Sequence, residues 1–272
     1  PLRIKNKPKK TKQNLTKNEN WFIVQTHLFF RSLKIRYNSK TMAINQNIIE
    51  QQSKKLLAHI NKLKHKFDIN YPINICVASK YANDKQIEAL YNQGFRLFGE
   101  NKIQDGIQKI KSLAHLKDIQ WHFIGHLQRN KVKKAIEYFS VIQSVDSLNL
   151  LDKINTVSKE YQKNTTCYIQ INIGDDPNKF GFKKNEFLEK QNQLFSFSNV
   201  TIKGIMIIVP LLNNKDATKK MFLDAYTLYK SIKSLPHASE LSMGMSQDYE
   251  LAIQAGSTMT RIGRMLFQKE GA

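Results

Sequence analysis

From about residue 70 onward, short apolar or β-branched runs alternate with longer segments in which apolar residues recur at three- and four-residue spacing. The runs fall at 73–79, 97–101, 119–125, 141–146, 166–173, 202–209, 240–244 and 259–267. The helical segments between them fall at 84–94, 102–115, 129–139, 148–162, 184–196, 216–234 and 247–255, and an amphipathic stretch over 43–67 precedes the first run. A period of two reads as strand and one near 3.6 as helix. Strands alternating with helices predict βαβ units and a parallel sheet. Eight such units in roughly 230 residues fit a closed (β/α)8 barrel with an extra N-terminal helix better than an open doubly wound sheet.

That architecture concentrates functional groups at the carboxyl ends of its strands. The first predicted strand, in "NICVASKYAND" (74–84), ends on Ser79 and Lys80. The second ends on "FGEN", which closes with Asn101, and the third runs into "HFIGHLQRNK" (122–131). The seventh is "LSMGMS" (241–246) and the eighth "TRIGRMLF" (260–267). A lysine sheltered at such a rim has its ammonium disfavoured by desolvation, and its amine can then attack a carbonyl. The alternative is a surface lysine at a loop start. Ser242, Ser246 and Gly263 supply hydroxyls and close backbone approach, the chemistry of a phosphate site. Ser246 could equally cap the following helix. Arg261, inside a strand, requires an acceptor: a ring nitrogen, a carboxylate or a structural salt bridge. His122 and His126 are four apart, but no third ligand accompanies them and no metal is expected. Asn130 is expected to cap the next helix, and Asp175 and Asp176 to be solvated loop residues. P-loop, GxGxxG, HExxH and GxSxG motifs are absent from the sequence.

Composition bounds this picture. The 272 residues are 41% hydrophobic and 10% aromatic, enough for one large core. Cys76 and Cys167 lie in apolar runs with no metal-ligand spacing, which reads as buried thiols in a reducing, cytoplasmic setting. The net charge of +21 suggests nucleic acid at first sight, but residues 1–41 hold eleven Lys and Arg against the single acid Glu19. The remaining basic residues are scattered, so nucleic-acid binding is not the favoured reading. Residues 1–41 read as a basic, disordered extension or a non-native appendage, with Met42 as the expected start of the folded barrel at 42–272. The apolar stretch "WFIVQTHLFF" is too short to span a bilayer, and no membrane association is expected.

Taken together, "VASKYA", "FGENKIQDGIQKI", "WHFIGHLQRNK", "IQSVDSL", "IQINIGDDPNKFGF", "IKGIMIIVP" and "LSMGMSQDYELAIQAGSTMTRIGRMLF" resemble the pyridoxal phosphate homeostasis proteins, whose barrel is like the N-terminal domain of alanine racemase. The resemblance runs from Met42 to Phe267. It implies that Lys80 holds pyridoxal 5′-phosphate as an internal aldimine, with Asn101 beside the cofactor and Arg261 facing its pyridine nitrogen. It further implies that Ser242, Gly263 and the backbone at Arg264 hold the phosphate. The family usually has a small hydroxyl residue after "RIG", where this chain has Arg264; the backbone contact survives that change and the hydroxyl contact does not.

A guanidinium keeps its protons, so it leaves the pyridine nitrogen unprotonated and weakens the ring as an electron sink. Racemisation also needs an acid–base group opposite Lys80, which the racemase draws from its second domain and partner subunit. The expected function is therefore that of a pyridoxal phosphate carrier or buffer acting in vitamin B6 and amino-acid homeostasis, with no catalytic residues assigned. Apoenzymes that use the cofactor, or amino acids, are the expected partners, and the chain is expected to be a monomer. A pyridoxal phosphate-dependent racemase or related enzyme is the alternative, with Tyr81 or His126 as the second acid–base group.

Overall fold

The structure, a computed structural model, describes residues 47–210, 213–235 and 237–267. The sequence readings for residues 1–41 and for Met42 lie outside these residues. A helix over residues 47–66, α1, leads into a closed barrel of eight parallel strands that pair in chain order. The strands are β1 (Asn74–Ala78), β2 (Leu97–Glu100), β3 (Gln120–Phe123), β4 (Val141–Val145), β5 (Thr165–Ile171), β6 (Val200–Ile207), β7 (Glu240–Met245) and β8 (Met259–Ile262). β8 returns to β1, with Cys76 opposite Arg261 and Val77 opposite Ile262. Parallel neighbours need a crossover, and the helices provide it: α2 (Asp84–Asn92), α3 (Ile103–Ser112), α4 (Val132–Tyr138), α5 (Leu148–Glu160), α6 (Lys184–Leu194), α7 (Lys215–Ile232) and α8 (Tyr249–Gln254). A single turn, α9 (Arg264–Phe267), follows β8.

Strand alternation divides the core in two. Val77, Phe98, Phe123, Ile142, Ile169, Ile205, Leu241 and Ile262 belong to the large cluster between strands and helices. Cys76, Val141, Tyr168, Met206 and Met259 form a second cluster inside the barrel. Strands packed on both faces explain the nearly continuous apolar runs in the sequence. Both cysteines are buried free thiols. Local chemistry starts several helices where the pattern predicted them. Asn83 accepts from the Gln86 N–H while the Gln86 side chain accepts from the Asn83 N–H, a reciprocal cap for α2. Ser147 caps α5 and Asn214 caps α7.

Some boundaries and caps differ from the sequence reading. β8 stops at Ile262 instead of continuing to 267, because Gly263 closes onto Ala78, where a Cβ would stand 2.9 Å from the Ala78 carbonyl oxygen. Asn130 does not cap α4: it lies within a 3-10 turn (Arg129–Lys131) that runs straight into the helix. Ser246 does not cap α8, whose N-cap is Asp248.

Gly204 lets β6 approach β7. A Cβ there would meet the Glu240 carbonyl oxygen at 1.7 Å, and neither backbone can yield without breaking the ladder. Gly204→Ala is expected to destabilise the fold by about 3 kcal/mol or more, read as a lowered denaturant midpoint.

Candidate functional site at the barrel mouth

At the carboxyl ends of the strands lies a cavity of about 380 Å³. Lys80, Asn101, Ser246, Arg261, Gly263 and Arg264 all border it. Six of the seven residues singled out from sequence thus meet at one place, although they come from the ends of β1, β2, β7 and β8. Ala78, Ile124, Ile208 and Met245 give the cavity an apolar inner surface, and Asp248 borders it as well.

Lys80 follows β1 by two residues and is exposed, with its ammonium 4.6 Å from the centroid of the Tyr81 ring. The sheltered amine expected from sequence is thus a rim amine. Its backbone, by contrast, is rigidly placed. The hydroxyl of the preceding Ser79 donates to Glu100 Oε1 at 2.7 Å. Lys109 Nζ donates to the same oxygen at 2.7 Å and to the Ser79 carbonyl at 2.6 Å. Ser79 and Glu100 are wholly buried. This ion pair under the end of β1 fixes where the Lys80 side chain starts. Gly125 packs against the second rim residue: a Cβ there would stand 2.2 Å from the Asn101 carbonyl oxygen.

Arg261 is 4% exposed. Its guanidinium donates to the Ser242 carbonyl and hydroxyl, both at 2.8 Å, and to the Ile207 carbonyl at 2.6 Å. These acceptors come from β7 and β6, and no salt bridge to Arg261 is formed among the described residues. Burial pulls the guanidinium down to about 10, against the opposing pull of Cys76 and Asp248, so it stays charged at neutral pH. Asp248 Oδ1 in turn accepts from the Met245 N–H at 2.6 Å, and burial raises its carboxyl.

Ser242 is the one predicted residue that the structure does not bring to the cavity. It is wholly buried, one step deeper in the barrel, where its hydroxyl donates to Gln143 Oε1 at 2.7 Å. Ser246 takes the rim position instead, its oxygen accepting from the Gly263 N–H at 3.3 Å. His126 also stays away: it stacks on Phe180 with ring centres 3.6 Å apart and meets Asp146 Oδ2 at 3.0 Å. His122 is buried inside the barrel, its Nδ1 2.7 Å from Gln143 Nε2. Burial, reinforced by the Lys203 charge, pulls its imidazole down to about 3. Among the described residues no group of three or more His, Cys, Asp or Glu could hold a metal. None of their helices is long and apolar enough to cross a membrane.

Glu100, Lys109, Gln143 and Asp248 were missed from sequence. A carboxylate inside "LFGE" and an amide inside the wholly buried "VIQSV" were the available signals, since neither group is buried without a partner.

A parallel eight-stranded barrel with a lysine, an arginine and a glycine-serine rim around one cavity defines the class: residues 78–270 match the family described as alanine racemase, N-terminal domain. Among curated relatives, the pyridoxal phosphate homeostasis protein of Synechocystis is 39% identical over 197 residues, 72% of this chain and 90% of that one. Among solved structures, PipY of Synechococcus elongatus without the cofactor superposes with a TM-score of 0.69 at 33% identity, and its form with pyridoxal phosphate bound with 0.67 at 31%. Each alignment covers 76% of this chain and 99% of PipY. The chain belongs to the pyridoxal phosphate homeostasis proteins.

Two expectations follow from these contacts. Lys109→Met leaves the Glu100 carboxylate buried without its cation, which costs about 3–5 kcal/mol. Chemical denaturation should show that loss, and Glu100→Gln added to it should recover most of the stability. His122 supplies a pH dependence. Its folded pKa lies below the unfolded value near 6.5, so the unfolded chain binds the extra proton. Its neutral state carries no penalty above about pH 6.5. As the pH falls from 6.5 towards 3, stability declines by about 1.4 kcal/mol per unit. Denaturation curves at pH 7.5 and 4.5 should differ less for His122→Gln than for the wild type.

Proposed function

We propose that the chain binds pyridoxal 5′-phosphate in the mouth cavity and carries or buffers it in vitamin B6 and amino-acid homeostasis. The observation that carries this reading is the convergence of a primary amine, a buried guanidinium and a glycine-serine phosphate cradle on a single cavity of about 380 Å³. The cofactor-bound structure of PipY, 31% identical to this chain, supports the same reading.

The residues present fit the group. When bound, pyridoxal phosphate supplies an aldehyde that captures amines and a ring that accepts electron density. Lys80 provides the amine for that aldehyde. The Ser246 hydroxyl, the Arg264 N–H and the Arg264 guanidinium provide donors for the phosphate, and the Gly263 N–H orients the Ser246 oxygen. Gly263 has no side chain to fill that cradle. Asn101 borders the cavity at the end of β2. Arg261 presents a permanently protonated group to the ring nitrogen, fixed in place by three acceptors. A group that cannot give up its proton favours holding the cofactor over using it as a strong electron sink.

The same geometry argues against racemisation. That reaction needs proton donors on both faces of a substrate carbon. His126 does not border the cavity, being committed to Asp146 and Phe180. Tyr81 adjoins Lys80 on one segment and is 76% exposed. The exposed rim position of Lys80 suits exchange of the cofactor with apoenzymes or small amines. The two buried free thiols fit a reducing cytoplasm, and the cavity is bordered by residues of a single chain, as a monomer requires.

Pyridoxal phosphate added to the full-length protein should give a visible absorption band that Lys80→Ala abolishes. Borohydride reduction followed by peptide mapping should mark Lys80. A wild type that takes up no cofactor, or a mark on another lysine, overturns the assignment.

A further inference from the structure

The opposite end of the barrel holds a second cavity, of about 480 Å³, bordered by Asn74, Gln120, His122, Tyr168, Lys203 and Glu240 among others. Its volume lies in the range of about 300–1,000 Å³ typical of small-molecule sites. It is separated from the mouth by the polar layer that runs from Arg261 to His122.

Hydrogen-bond direction in that layer is fixed at one end. A guanidinium only donates, so Ser242 Oγ accepts from Arg261. The Ser242 hydroxyl then donates to Gln143 Oε1, and the Gln143 amide nitrogen donates to His122 Nδ1 and to Met259 Sδ. Turning the amide round would strand the buried Ser242 hydroxyl proton and set an oxygen against the Met259 sulfur. His122 Nδ1 is therefore an acceptor, and the one proton of the neutral ring is on Nε2.

That Nε2–H is buried and has no partner among the described residues. Gln143 lies two residues beyond Val141, which is the register partner of His122, so Nδ1 is directed towards the mouth. Nε2, across the ring, is directed towards the floor cavity that His122 borders. Lys203 is the second donor there. Its ion-pair contact is to Glu240 Oε1 at 3.6 Å, longer than a hydrogen bond, and its side chain is 47% exposed. The other Glu240 oxygen already accepts from the Tyr168 hydroxyl.

We propose that the floor cavity is a binding site for a small carboxylate, whose oxygens accept from His122 Nε2–H and from the Lys203 ammonium. A carboxylate supplies acceptors to both donors and a negative charge for a lysine whose own partner is distant. An ammonium cation would leave the His122 N–H unpaired, and a neutral acceptor would bring no charge to Lys203. The site is independent of the mouth cavity and of whatever that cavity holds.

The test is a titration of the full-length protein, labelled with ¹⁵N in its histidine rings, with acetate and with succinate at constant ionic strength. The resonance of His122 Nε2 is assigned by its loss in His122→Gln. It should shift saturably with carboxylate and not with matched chloride. Lys203→Met, at a half-exposed position where folding is retained, should weaken binding about tenfold, the loss of one charge-assisted hydrogen bond. A shift that never saturates, that chloride reproduces or that Lys203→Met leaves unchanged overturns the proposal. Adding pyridoxal phosphate in parallel reads the mouth separately, so failure at one end is not mistaken for failure at the other.

Discussion

Arg261 places a charge inside a closed barrel without an ion-pair partner in contact among the described residues, and much of the surrounding interior is arranged to make that tolerable. A buried guanidinium must have its donors satisfied. The strand carbonyls of Ser242 and Ile207 do so at 2.8 and 2.6 Å, together with the Ser242 hydroxyl. Those acceptors belong to neighbouring strands, so the side chain also ties β8 to β7 and β6. Because the guanidinium cannot accept, every later bond in the chain through Ser242, Gln143 and His122 takes its direction from it. The barrel thus has a polar spine with a defined sense, set among Cys76, Val141, Tyr168, Met206 and Met259.

A second charge, the Glu100 carboxylate, is buried just outside the barrel wall and does comparable positioning for β1. It collects Ser79 and Lys109 at 2.7 Å each, and Lys109 also holds the Ser79 carbonyl. The two charges act on opposite sides of the same rim. Arg261 is fixed from below by β6 and β7, and Lys80 is aimed from outside by β2 and α3. The Lys80 side chain is left exposed, while the backbone that carries it is held by a buried ion pair. Such a division suits a site whose amine has to meet molecules arriving from solution.

The fold was legible because two periods alternate cleanly along the chain, and each predicted strand corresponds to an observed one. What the pattern could not supply was where strands stop. Residues 263–267 are as apolar as a strand, yet the chain turns at Gly263 because Ala78 of the neighbouring strand leaves no room for a Cβ. That is a tertiary contact, invisible in a one-dimensional reading. The rim lysine, asparagine, arginine and glycine were also legible, since the architecture directs attention to strand ends. Ser242 shows the limit of that reasoning. In "LSMGMS" two serines four residues apart would share a face of a regular strand, but alternation says nothing of depth. Four residues span roughly 13 Å along a strand, so only one of the pair can stand at the rim. Ser246 does, and Ser242 serves the interior. Gln143, Glu100 and Lys109 went unread for a related reason: their meaning is their partners, which come from other strands and helices.

These partnerships bear on the proposal that this barrel holds a cofactor rather than racemising a substrate. Turnover at a carbon acid requires proton carriers that can be loaded and unloaded at both faces. Around the mouth the candidate carriers are either locked or displaced. Arg261 retains its proton at neutral pH. His126 is pinned between a carboxylate and an aromatic ring, outside the cavity. His122 is buried below and kept neutral by its surroundings. Lys80 is the exposed primary amine that borders the cavity. One exposed amine suits the proposed capture and release of an aldehyde, whereas racemisation needs a second proton carrier on the opposite face of the substrate.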